Sequence, residues 1–196
     1  MKLNLLLLPV LFFSINSIAQ DLNHKWNVEA NYSVIPEEGF SGDHNIIEFG
    51  VKYRFIDYDF VQIGLGINSG YSQKVYDEFN IDGKVKRYYF QPRLFSEFKI
   101  PGLDRLRPTI GLGYSIMNED SSVISIGEDV SGNTTNGGFN FNLGLTYDIT
   151  DRFFIQAQYD FINLNVRDEF TFQGEVIKPN YNEKLNNLKI GVGFRF

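Results

Sequence analysis

The chain has 196 residues, enough for one domain, with 18 basic and 24 acidic residues and a formal charge of −6. Having no cysteine, it can form no disulfide, thiolate metal site or cysteine nucleophile, and its acid excess argues against nucleic acid as a partner. Aromatic content is 16%, with 19 Phe and 11 Tyr, yet mean hydropathy is −0.20, so apolar residues are dispersed singly rather than gathered into blocks.

The first segment is the exception. In MKLNLLLLPVLFFSINSIAQ a single early cation, Lys2, precedes an apolar run from Leu3 to Ile15. Ser17-Ile18-Ala19 then meets the small-x-small rule of a signal peptidase and sets cleavage before Gln20. Asn4 and Pro9 interrupt a run already too short to span a bilayer. Residues 1–19 are therefore expected to be a removable export signal and residues 20–196 the mature domain, whose charge is −7 once Lys2 is lost. No cysteine follows the cleavage point, which excludes a lipoprotein. No later stretch is apolar enough for a transmembrane helix. The mature chain is then either soluble or crosses a membrane as a closed barrel.

Eight strands of period 2 are predicted in chain order. The first sets Trp26, Val28, Ala30, Tyr32 and Val34 against Asn27, Glu29, Asn31 and Ser33. The second sets Ile47, Phe49, Val51, Tyr53 and Phe55 against Glu48, Gly50, Lys52 and Arg54. The third has Val61, Ile63, Leu65, Ile67 and Tyr71 against Gln62, Gly64, Gly66, Asn68 and Gly70. The fourth has Tyr88, Phe90, Leu94 and Phe98 against Arg87, Gln91, Arg93, Glu97 and Lys99, with Pro92 removing a ladder donor and calling for a local bulge. Ile110, Leu112, Tyr114 and Ile116 form the apolar set of the fifth. Phe139, Phe141, Leu143, Leu145, Tyr147 and Ile149 face away from Asn140, Asn142, Gly144, Thr146 and Asp148 in the sixth. Ile155, Ala157, Tyr159 and Phe161 mark the seventh, and Leu188, Ile190, Val192, Phe194 and Phe196 the eighth. Each run is close to the roughly 10 residues that cross a bilayer when tilted.

The connections alternate too. Short ones follow the second, fourth and sixth strands, and long polar ones are expected at Ile35–Asn45, Gln73–Lys86, Met117–Gly137 and Ile162–Asn187. These long segments hold 14 acids and six bases, so the acid excess is concentrated there.

Alternation alone does not say which face is inside. The polar set decides, because Arg54, Arg87, Arg93, Glu97, Lys99, Asp148, Asp160, Lys189 and Arg195 are mixed with many Gly and Asn. That mixture suits a narrow lumen, in which charged side chains pair across the interior and small neighbours leave them room. Aromatics recur at both ends of the apolar faces, as interfacial girdles require: Trp26, Phe55, Phe98, Tyr147, Phe153 and Phe196 at one rim, Tyr32, Tyr71, Tyr88, Phe139 and Phe161 at the other.

The last residues, KIGVGFRF, resemble the C-terminal signal of outer-membrane barrel proteins, with Lys189 as its polar residue, Gly191 as its glycine, Phe194 as its apolar position and Phe196 as the terminal aromatic. With the leader and eight strands, the mature chain resembles the small OmpA/OmpX-type outer-membrane β-barrel family. The resemblance implies an all-β, eight-stranded antiparallel up-and-down barrel in a Gram-negative outer membrane, with both termini periplasmic. It also implies outer-membrane lipid, lipopolysaccharide and the barrel-assembly machinery as partners. A monomer is expected, and no cofactor.

Candidate chemistry is thin. His24 and His44 are the two histidines, and no HExxH, GxSxG or phosphate-loop pattern is present. Asp43-His44 and Asp120-Ser121-Ser122, both in long connections, are the residues that a lipid A-modifying barrel enzyme could use. The sequence favours a non-enzymatic protein, structural or acting through its acidic loops on a ligand it does not name. A narrow passage for small or apolar solutes is the alternative.

Overall fold

The computed structural model describes residues 24–35, 46–78, 81–125, 128–167, 170–172, 175–177 and 180–196; the expected leader, Asp43 and His44 lie outside them. Its strands are β1 (Trp26–Ile35), β2 (Ile47–Asp57), β3 (Val61–Glu78), β4 (Ile81–Phe98), β5 (Leu106–Ser125), β6 (Glu128–Asp148), β7 (Phe153–Arg167), β8 (Phe170–Phe172), β9 (Glu175–Ile177) and β10 (Asn180–Arg195). β8 and β9 pair only with each other, while the other eight close a ring in the order β1-β10-β7-β6-β5-β4-β3-β2. All pairs are antiparallel, as predicted. The seam is closed by Trp26 and Phe196, which exchange both backbone hydrogen bonds at 3.1 and 2.9 Å. Closure leaves no free edge in the wall, a condition for placing strands in hydrocarbon.

His24, where the described chain begins, Phe196 and three short turns lie at one end, here the turn end. The turn from β4 to β5 is of type II: Leu103 N–H donates to the Ile100 carbonyl at 3.0 Å, Pro101 takes the first central position, and Gly102 takes the second with φ of 82°. In the turn from β6 to β7, the Thr150 hydroxyl accepts from the backbone N–H groups of Arg152 and Phe153.

The opposite, tall end differs from expectation. Much of Gln73–Lys86 and Met117–Gly137 is strand: β3 and β4 stay paired to Glu78↔Ile81, and β5 and β6 to Ser125↔Glu128. A polar ladder on the outward face supports this extension. Asn118 donates to Asn133 Oδ1 at 3.1 Å and to Thr135 Oγ1 at 3.0 Å, and Asn133 donates to Asp120. Among the described residues, Ser72–Glu78 of β3 pair only with β4, and Glu128–Asn136 of β6 only with β5. A four-stranded sheet, β3 to β6, thus stands above the rest of the ring.

Pro92 also departs from expectation, because no bulge forms. The β4–β5 register is the same on either side, Phe90↔Ile116 and Arg93↔Gly113, and the ladder simply skips Gln91 and Pro92. A side-chain bond bridges the gap, from Gln91 Nε2 to Ser115 Oγ at 3.0 Å. The register shifts fall elsewhere, at Ser33/Ile35 and Arg54/Ile56.

Facing follows the prediction over the lower wall. Leu65 is 56% exposed on the outer surface and Phe49 65%, whereas Asn68 and Lys189 are fully buried inside. The two aromatic rims are outward, with Trp26 against Tyr53 at 4.6 Å between ring centroids and Tyr71 against Tyr88 at 5.1 Å. Nearer the tall end the polarity reverses within unbroken strands. β7 turns Gln156, Gln158 and Asp160 inward and then Ile162, Leu164 and Val166, while its outward face passes from Tyr159 and Phe161 to Asn163, Asn165 and Arg167.

Candidate functional site

The lumen holds three layers. The first, nearest the turn end, joins three guanidinium groups to two carboxylates. Arg54 meets Glu97 at 2.8 Å, Arg107 meets Glu97 at 3.2 Å and Asp148 at 2.7 Å, and Arg195 pairs with both acids. Asn27 accepts from Arg54 and Gln62 from Arg107, and the Arg195 guanidinium lies 4.6 Å from the Phe154 ring centroid. Residues from all eight wall strands therefore meet here, and the layer braces the barrel across its width. The tip of the Phe154 ring reaches over Gly193, and that of Phe95 over Gly64, where any Cβ would collide with the ring.

A second layer of charge follows. Lys189 Nζ pairs with Glu48 at 2.7 Å and Asp160 at 2.5 Å, Arg93 pairs with Asp160 at 3.4 Å, and Lys52 with Glu29 at 2.7 Å. Asn68 donates to both Glu29 and Glu48, and Asn142 to Asp160. Buried charges so matched are held in place, because a lone one in this interior would go unsolvated.

Above these lies an apolar layer of Ile46, Tyr89, Met117, Ile162, Leu164, Val166 and Leu185, all buried. It fills the lumen at the level where the strands leave the aromatic rim. Arg87 lies beyond it, paired with Glu119 at 2.6 Å. This corrects the expectation that Arg87 joins the other lumen charges. It does face inward, but six residues of strand, about 20 Å, separate it from Arg93.

Lys99, expected in the same polar set, lies instead at the turn end, partly exposed and paired with Asp57 at 2.6 Å. The other lumen charges predicted from sequence, Arg54, Arg93, Glu97, Asp148, Asp160, Lys189 and Arg195, are brought together in two layers rather than one. Four partners were missed: Glu29, Glu48, Lys52 and Arg107. The first three stood in the polar sets of their strands, and Arg107 continues the inward parity of Thr109 and Gly111 into what read as a turn.

The terminal pattern divides between two surfaces. Lys189 and Gly191 serve the interior, where Gly191 leaves room for the Asn31 side chain, which accepts from Gln156 at 2.7 Å across β10. Phe194 packs edge-on against Phe153 at 4.9 Å and beside Phe196 at 6.4 Å on the rim. Asp120, Ser121 and Ser122 stand on the projecting sheet, where the Asp120 carboxylate accepts from Asn133 and Ser121 donates to the Gly132 carbonyl. His24, the histidine among the described residues, is at the opposite end of the barrel. No cluster of three potential metal ligands occurs among the described residues.

The described chain is thus a closed eight-stranded ring with an apolar outer wall and layers of paired charge inside. The profile of the outer membrane protein beta-barrel domain family fits residues 5–196. The chain belongs to that family. It is accordingly a Gram-negative outer-membrane protein that crosses with strands. Comparison with curated proteins finds no match. Among solved structures, Neisserial surface protein A is similar at 17% identity over 88% of this chain and 97% of its own, with a TM-score of 0.60. The N-terminal barrel domain of Pseudomonas aeruginosa OprF gives 20% identity, 87% and 96% coverage and a TM-score of 0.52. The outer membrane enzyme PagL gives 12% identity, 87% and 99% coverage and a TM-score of 0.50. At these identities the likeness is one of fold, and the fold hosts both enzymes and non-enzymes.

Proposed function

We propose that this barrel is a non-catalytic surface protein, with both termini periplasmic and the projecting β3–β6 sheet outside the cell. The observation that carries the reading is the double closure of the lumen. Two charged layers bridge the interior, and the apolar layer of Tyr89, Met117, Leu164 and Leu185 lies above them. A passage would need a continuous wet path through both. What remains for function is the outside, and the tallest outside feature is the sheet whose upper β3 and β6 edges join no further strand among the described residues. On this reading the protein is a monomer in contact with outer-membrane lipid and lipopolysaccharide, delivered by the barrel-assembly machinery, and it acts structurally or as an interaction module.

Planar-bilayer recording of the refolded protein tests this. Silence is expected from the wild type and from Arg93→Ala. Reproducible single-channel currents whose selectivity changes in Arg93→Ala would replace the reading with a pore. Orientation is read separately, since a chain without cysteine accepts a single reporter: Ser122→Cys should react with a membrane-impermeant maleimide on intact cells.

A further inference from the structure

On the outward face of the projecting sheet, β4, β5 and β6 form a cleft of about 370 Å³ lined by Lys84, Lys86, Asp120, Ser122 and Asn133. The register makes these residues neighbours on one face: Lys84 is opposite Ser122, Lys86 opposite Asp120, and Asp120 opposite Asn133. We propose that this cleft binds the phosphorylated sugar headgroup of outer-leaflet lipopolysaccharide.

Three observations converge on that ligand. The first is depth. Tyr88, stacked with Tyr71, belongs to the upper aromatic rim, which marks the headgroup level. On the same outward face, Lys86 and Lys84 follow it at about 7 and 13 Å along the strand. Their ammonium groups thus stand at and just above the polar surface of the membrane.

The second is charge. Every acid and base of the two lumen layers is matched, whereas Lys84 and Lys86 have no ion-pair or hydrogen-bond partner among the described residues. Two such cations side by side, on segments otherwise rich in acids, form a local site for a phosphate group. The third is the composition of the other wall. The Asp120 carboxylate, the Ser122 hydroxyl and the Asn133 amide are groups that hydrogen-bond sugar hydroxyls. Asn133 already holds the carboxylate. Lysines for the phosphate and an acid, hydroxyl and amide for the sugar suit a sugar phosphate better than a bare anion. The cleft volume lies at the small end of the range for ligand pockets.

The inference rests on the orientation given above, since only then does the cleft meet the outer leaflet. The experiment titrates the refolded protein in detergent micelles with lipopolysaccharide, with the same lipopolysaccharide after enzymatic dephosphorylation, and with soluble glucosamine 1-phosphate. Wild type should prefer the phosphorylated form by about tenfold or more, as charge-assisted contacts allow. The Lys84→Gln/Lys86→Gln variant should lose that preference and Lys84→Arg/Lys86→Arg should keep it, with heat-modifiable gel mobility confirming that each is folded. Equal wild-type binding of the two forms overturns the proposal even if a variant fails to fold, and so does an undiminished preference in the glutamine variant. Tight binding of glucosamine 1-phosphate that lipopolysaccharide does not compete for overturns the lipid source. Maleimide labelling of Ser122→Cys only after the outer membrane is permeabilised overturns the orientation, a failure visible apart from the titrations.

Discussion

The lower and upper halves of this barrel obey opposite rules along continuous strands. In the lower half of β7, Ile155, Tyr159 and Phe161 face outward and Gln156, Gln158 and Asp160 inward; immediately beyond, Asn163 and Asn165 are outward and Ile162 and Leu164 inward. Backbone geometry does not change across the boundary. What changes is the medium outside. Against hydrocarbon, an apolar outer face is obligatory and the interior must carry the polar residues that keep each strand from reading as one long apolar segment. Against water the ordinary rule returns, and apolar side chains gather inside. One half is thus held by matched buried charge and the other by a small apolar core.

The largest test of this contrast is Asp160→Ala. Removing this carboxylate deprives Lys189 of one of its two acids and Arg93 of its ion-pair partner, all in an interior with almost no solvent contact. Losing one member of a buried pair costs about 3–5 kcal/mol. Urea unfolding of the barrel refolded in bilayers should show a loss of that size. A loss below about 1 kcal/mol would mean that the lower lumen is hydrated and its charges are not the brace described.

That brace was partly legible in the sequence. Alternation located every wall strand, and the charged members of the polar faces pointed to a paired lumen, because in the lower half a polar residue reliably means inside. The upper half was not legible for the same reason. There the parity continues but its meaning is inverted, so Lys84, Lys86, Asn163 and Asn165 read as loop, and Ile162 and Leu164 as scattered apolar residues within it. Which of Glu29, Glu48, Lys52 and Arg107 meet which partners depends on stagger around the ring. Lys189 and Glu48, 141 positions apart, become neighbours only when β10 closes on β1 and β1 on β2.

A second pair of variants sharpens the boundary itself. Leu143 and Asn163 are both outward and exposed, the first on the lipid-facing wall and the second just beyond it. Arg at Leu143 places a charge in hydrocarbon at a cost of about 2–4 kcal/mol, falling toward zero at the interface. Arg at Asn163 should change bilayer stability by no more than about 0.5 kcal/mol, as for an ordinary surface site. Equal penalties would put Asn163 in lipid and remove the distinction between the halves.

The smallest expected effect concerns the turn end, where water is again outside but which the apolar cluster of Met117 and Leu164 does not reach. His24 precedes β1 there, and its pKa is held below the ordinary 6.5, first by partial burial and then by the nearby cations Arg152 and Arg195, with Asp151 opposing. The folded state therefore takes up this proton less readily than the unfolded chain does. Its contribution to stability is complete above pH 6.5 and is lost as the pH falls through the lower folded value. Imidazole proton NMR of the refolded barrel, with His44→Ala to assign the signals, should place the His24 midpoint below 6.5. Arg152→Ala should raise it only part of the way back, because burial, the larger cause, is untouched. A midpoint at or above 6.5 in the wild type would mean that the rim cations are screened by solvent and that charge balance matters only inside the lumen.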